Sequence, residues 1–93
     1  MAAAQRMTDA NTGGGTISSV PQSTVFANSK LVSVDGSAVA DHLPVDGANT
    51  HTSVTTANGS STVKAGGLGI NRTGDADSCG HTRAGGSSDV NIG

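Results

Sequence analysis

At 93 residues, with a formal net charge of −2, only five Lys plus Arg and Phe26 as its single aromatic residue, the chain lacks the basic stripe and stacking platforms of a nucleic-acid surface. Glycine, Ser, Thr, Ala and Val supply most of it, which makes for a thin core, and a domain near this size buries only roughly 60–65% of the surface its unfolded chain exposes. One cysteine excludes an intrachain disulfide, so the staple such a chain needs must come from elsewhere.

The N-terminus, Met1-Ala2-Ala3-Ala4-Gln5-Arg6, lacks the basic-then-apolar order of a secretory signal, and no apolar run approaches the ~20 residues of a membrane span. A glycine-rich loop is expected over residues 9–22. Ser23-Thr24-Val25-Phe26-Ala27, then Asn28-Ser29, then Lys30-Leu31-Val32-Ser33-Val34 reads as strand, two-residue turn, strand. A second loop follows over 37–59. Ser61-Thr62-Val63-Lys64-Ala65, Gly66-Gly67 and Leu68-Gly69-Ile70-Asn71-Arg72 repeat the hairpin, with Gly supplying the positive φ of a tight turn. After a third loop over 75–86, Gly86-Ser87-Ser88-Asp89-Val90 repeats Gly59-Ser60-Ser61-Thr62-Val63, and the copy ends at Gly93 where its turn should begin.

The missing return strand is found at the other terminus. Arg6-Met7-Thr8-Asp9 matches Arg72-Thr73-Gly74-Asp75, and counting back places Met1 directly after the position equivalent to Gly66. Ala2 to Arg6 is therefore expected to pair with Ser88 to Ile92, closing an all-β ring of three pseudo-threefold-related hairpins. This in-register repetition argues against the alternative of a glycine-rich disordered or adhesive segment, which needs no register.

Turns at one end of each hairpin send the three connecting loops to the other. His42 and His51 lie in the second loop, Cys79 and His81 in the third, and no other His or Cys is present. A thiolate with three imidazoles makes a complete tetrahedral set, suited best to Zn²⁺ and next to iron, with Zn–S near ~2.3 Å and Zn–N near ~2.0–2.1 Å. Such a site contributes on the order of 10 kcal/mol, comparable with the whole net stability of an ordinary domain. A metalloenzyme is the weaker alternative: four protein ligands leave no position for a catalytic water, and neither Gly-x-Ser-x-Gly nor His-Glu-x-x-His occurs. No enzymatic activity is expected.

The remaining motifs read as structure. Asn71-Arg72-Thr73 is a formal glycosylation sequon, Gly66-Gly67-Leu68-Gly69 precedes no helix and is not a phosphate loop, and the spacing of Asp35, Asp41, Asp46, Asp75 and Asp77 fits no EF-hand.

Over nearly its whole length the chain resembles the PAAR-repeat family. The likeness rests on Arg72-Thr73-Gly74-Asp75, which is similar to the family's Arg-x-Gly-Asp after a return strand, on the Gly59 and Gly86 segments, on the ending Val90-Asn91-Ile92-Gly93, and on the His/Cys set. Departures are the first loop, Asp9 to Gly15, without the histidine many members carry, Thr8 for the first Gly of Gly-Asp, Asn71 in place of the Ala before Arg, and Asn28-Ser29-Lys30 for an Asn-Gly-Lys turn. The resemblance implies a small cone over residues 1–93 as one PAAR-repeat domain, with His42, His51, Cys79 and His81 holding zinc or iron near its point. It implies a structural role: one monomer caps a trimeric β-helical spike protein, a phage central spike or a VgrG-like needle, and sharpens it for piercing an outer membrane, with transient contact with that membrane. With both termini spent on the third hairpin, no fused effector is expected. The short Ser/Thr-rich form favours the tip of a phage contractile-tail baseplate, hence the virion; the alternative is a bacterial type VI secretion spike, cytoplasmic before it is secreted.

Overall fold

The structure is a computed structural model that describes residues 2–41 and 54–92. Among these, every regular element is a strand, and all are short: β1 (Ala2–Ala3), β2 (Ile17–Ser19), β3 (Phe26–Ala27), β4 (Lys30–Leu31), β5 (Ala38–Val39), β6 (Val54–Thr55), β7 (Lys64–Ala65), β8 (Leu68–Gly69) and β9 (Asn91–Ile92). Shortness follows from the sequence, in which a glycine or a turn-forming Asn, Asp or Ser interrupts each Val- or Thr-containing run before it lengthens.

Three antiparallel hairpins form at equivalent places. β3 pairs with β4 as Phe26–Leu31 and Ala27–Lys30, β7 with β8 as Lys64–Gly69 and Ala65–Leu68, and β1 with β9 as Ala2–Ile92 and Ala3–Asn91. The two tight turns have positive φ at both central residues, 53° and 66° at Asn28 and Ser29, 60° and 81° at Gly66 and Gly67, the mirror-image geometry whose twist suits the flanking strands. Before each hairpin one side chain ties down the entry. Gln22 Oε1, Ser60 Oγ and Ser87 Oγ each accept the backbone N–H groups two and three residues on, at 2.9–3.1 Å.

The return strands are shorter than the sequence suggests, because beyond the hairpin each abandons its partner for the next unit. Ala4 pairs with Arg72, Val32 with Arg6, and Ile70 with Val34. The result is a closed triangle of backbone hydrogen bonds: Gln5 N to Asn71 O at 3.0 Å, Asn71 N to Ser33 O at 3.0 Å, Ser33 N to Gln5 O at 2.8 Å. A second triangle joins Met7 N to Leu31 O, Asp35 N to Gly69 O and Thr73 N to Ala3 O. A third joins Thr12 N to Thr82 O, Ala40 N to Thr16 O and Ser78 N to Thr55 O. Each triangle relates equivalent residues of the three units in cyclic order.

Inside the hairpin triangle, small and large residues compensate. Each hairpin sends in one alanine and one branched residue, Ala27 with Val32, Ala65 with Ile70, and Ala4 with Ile92, and Val34 completes the cluster. The third pair has its alanine on the return strand instead of the outgoing one, so side-chain volume is conserved between units.

Between hairpins and loops the chain turns through Arg6–Asp9, Val34–Ser37 and Arg72–Asp75, with positive φ at Thr8, Gly36 and Gly74 (75°, 87°, 94°). Asp9 and Asp75 each accept their arginine's backbone N–H at 2.8 Å and pair with its guanidinium at 2.9 and 3.0 Å. In the second unit Ser37 Oγ takes the same N–H, from Val34, at 3.2 Å, and Val34 and Ser37 replace the arginine and aspartate of the other two turns.

The regions expected to be loops, 9–22 and 37–59, also contain strands. β2, β5 and β6 form a three-stranded sheet in the order β2-β5-β6, with a register shift between Ile17 and Ser19. The sheet removes Ile17, Val39 and Val54 from solvent, at 1, 5 and 4% exposure.

Candidate metal centre

The third loop is a tight turn. Ala76 pairs with Thr82, Asp77 N donates to His81 O at 2.8 Å, and Gly80 N donates to Asp77 O at 2.9 Å. Gly80 sits at φ 94°, a conformation that costs glycine nothing and allows Cys79 and His81 to flank a sharp bend. Both side chains are half-buried.

The first loop has the same backbone with different side chains. Ala10 pairs with Thr16, Asn11 N donates to Gly15 O at 2.9 Å, Gly14 N donates to Asn11 O at 3.0 Å, and Gly14 has φ 85°. Gly13 therefore answers to Cys79 and Gly15 to His81. The emptied position is used: the His81 imidazole lies against Gly13, where an added Cβ would come within 2.9 Å of Nε2 and closer still to Cε1 and Nδ1.

Directly under both loops is a buried polar group of Asn11, Asp77 and Arg83, at 4, 4 and 1% exposure. Asn11 Nδ2 donates to Asp77 Oδ2 at 2.9 Å, and Asn11 Oδ1 accepts Gly13 N and Gly15 N at 2.9 and 2.8 Å. Arg83 Nη2 donates to Gly15 O at 2.7 Å, while Arg83 Nε and Asp77 Oδ1 are 3.5 Å apart. Burial pushes the Arg83 guanidinium below its ordinary value, opposed by the attraction of Asp77, then Asp9 and Cys79. Pairings Asn11–Arg83, Thr56–Asp77 and Ile17–Val39 occupy equivalent positions, so one corner of this layer is apolar and the others carry the charges.

Of the four ligands expected from sequence, Cys79 and His81 are together on one turn; His42 and His51 lie outside the described residues. The donor chemistry of that turn, a thiol and an imidazole one residue apart around a left-handed glycine, fits a soft divalent ion. Gly13, Asn11, Asp77 and Arg83 were missed by the motif reading. A signal for them exists in the match of Asn11-Thr12-Gly13-Gly14-Gly15-Thr16 to Asp77-Ser78-Cys79-Gly80-His81-Thr82. No protein-family model matches the chain, and no curated protein matches it.

Proposed function

We propose that this chain is a spike-tip protein of the PAAR-repeat kind, a non-enzymatic cap for the free end of a trimeric β-helical needle, in a phage contractile tail. The observation that carries this reading is the set of three cyclic backbone triangles, which give a single chain the symmetry a threefold partner requires. One such monomer meets all strands of a trimer equivalently, whereas an asymmetric domain meets only one or two of them.

The hairpin ends are the docking face in this reading. Val25, Phe26, Leu68 and Val90 are exposed there, Phe26 by 58%, and the hairpin edges offer backbone groups for strand addition. At the opposite end, His42, His51, Cys79 and His81 would hold Zn²⁺, with iron as the alternative, and the ion would tie the second loop to the third. A cross-link of that kind stiffens a point under thrust without enlarging it.

The test is stoichiometry. The purified chain is mixed with a trimeric β-helical spike protein from a contractile tail, and the complex is analysed by light scattering and metal analysis. One chain per trimer and one metal ion per chain are expected. Three chains per trimer, or no complex with any such needle, overturns the cap; a chain that takes up no zinc or iron overturns the apex site.

A further inference from the structure

The first loop contributes no donor, yet its Gly13 lies against one. We propose that Gly13 is the seat of the His81 imidazole and that Asn11 holds this seat in place, so that the first loop sets the direction in which the His81 ring faces. The role in metal binding rests on the apex reading above; the seat itself does not.

Three observations converge here. First, the ring lies so close to Gly13 Cα that no side chain fits between them, the nearest ring atoms falling inside ordinary van der Waals distance of an added Cβ. Second, Gly13 lies outside the left-handed region, unlike Gly14 at φ 85°, so the backbone does not call for glycine there and the ring is what excludes a side chain. Third, the loop is fixed from below: Asn11 Oδ1 accepts both Gly13 N and Gly15 N, Asn11 Nδ2 donates to Asp77 Oδ2, and Arg83 Nη2 donates to Gly15 O. Asp77 and Arg83 flank the Cys79–His81 turn in sequence, so the group that fixes the seat also anchors the turn bearing the imidazole. Groups that orient a metal-bound histidine typically matter by roughly 10–100-fold in affinity. Here the packed surface of Gly13 contributes to that orientation.

The experiment is a double-mutant cycle of Gly13→Ala and His81→Ala. Zinc affinity is read by competition with a chromogenic chelator, ring environment by the imidazole NMR resonances of His81, and stability by thermal unfolding with and without zinc. Gly13→Ala is expected to move the His81 resonances in the metal-free protein, to lower zinc affinity by roughly 10–100-fold, and to lower the melting temperature. In the His81→Ala background the same change is expected to leave affinity unaltered and to raise the melting temperature, because alanine stiffens the unfolded chain where its Cβ has room. Asn11→Ala is expected to move the resonances in the same sense. Equal effects of Gly13→Ala in both backgrounds, or unmoved His81 resonances, overturn the seat. If Gly13→Ala alone does not fold, the double variant must fold for the proposal to stand. If the wild-type chain takes up no zinc, the apex reading fails, and the metal-free resonances and melting temperatures still decide the seat.

Discussion

Replacing Arg83 with Met leaves the Asp77 carboxylate buried without its counter-charge. Both side chains are fully shielded from solvent and 3.5 Å apart, so neither screening nor water relieves the loss. Removing one partner of such a pair costs about 3–5 kcal/mol, and the Gly15 carbonyl loses the 2.7 Å bond from Nη2 as well. A chain of this length has a net stability of roughly 5–14 kcal/mol, so the change removes about a fifth of it or more. At roughly 4–8 °C per kcal/mol for a domain of this size, the melting temperature falls by roughly 12–40 °C. Far-UV circular dichroism melts run in chelator measure the effect. Adding Asp77→Asn removes the stranded charge, copies the residue the first loop already uses at this position, and keeps an acceptor for Asn11 Nδ2. The Arg83→Met, Asp77→Asn double variant is expected to recover at least half of the lost stability. The reasoning is refuted if Arg83→Met costs less than about 1 kcal/mol, the value of an exposed pair, or if the two losses simply add.

Glycines that look alike in sequence are expected to respond differently. Gly69→Ala drives a Cβ into the Ser60 carbonyl, a backbone atom that cannot turn aside, and is expected to cost about 1–3 kcal/mol or more in a urea melt. Gly67→Ala meets no atom within 4 Å and is expected to cost about 1 kcal/mol from its φ of 81° alone. Asn28 joins the first hairpin turn to the third unit, accepting from Arg6 Nη1 at 3.0 Å and from Ser87 Oγ, and donating to Asp89 Oδ2 at 2.9 Å. Asn28→Gly keeps the positive φ and deletes this latch, so amide exchange at Ala4, whose N–H bonds Val90 O, is expected to quicken relative to Ile70 in the second unit.

The hairpins were legible because their information is local. Asn28-Ser29 and Gly66-Gly67 carry the positive φ their turns need, and the alternation around them fixes the register. The pairing of Ala2–Ala3 with Asn91–Ile92 was also legible, since a repeat frame predicts which strand lacks a partner. The turn at Val34–Ser37 was harder to read: it follows the Arg-to-Asp turns in backbone and lacks their charges, leaving only Gly36 as a marker.

Sequence alone determined what each unit is, because turn chemistry and the small-and-branched pairing of core residues act between neighbours in the chain. It also singled out Cys79 and His81 by residue type. Tertiary structure decided how the units interlock: the return strands leave their hairpins at Ala4, Val32 and Ile70 because the unpaired backbone groups of the next unit face them once the ring closes. It likewise decided that the donor-free first loop lies beside His81, and that Asn11, Asp77 and Arg83 form one buried group. Those contacts span more than 60 residues of sequence, and no local pattern encodes them, since what selects them is the cost of leaving buried polar groups unpartnered in the closed form.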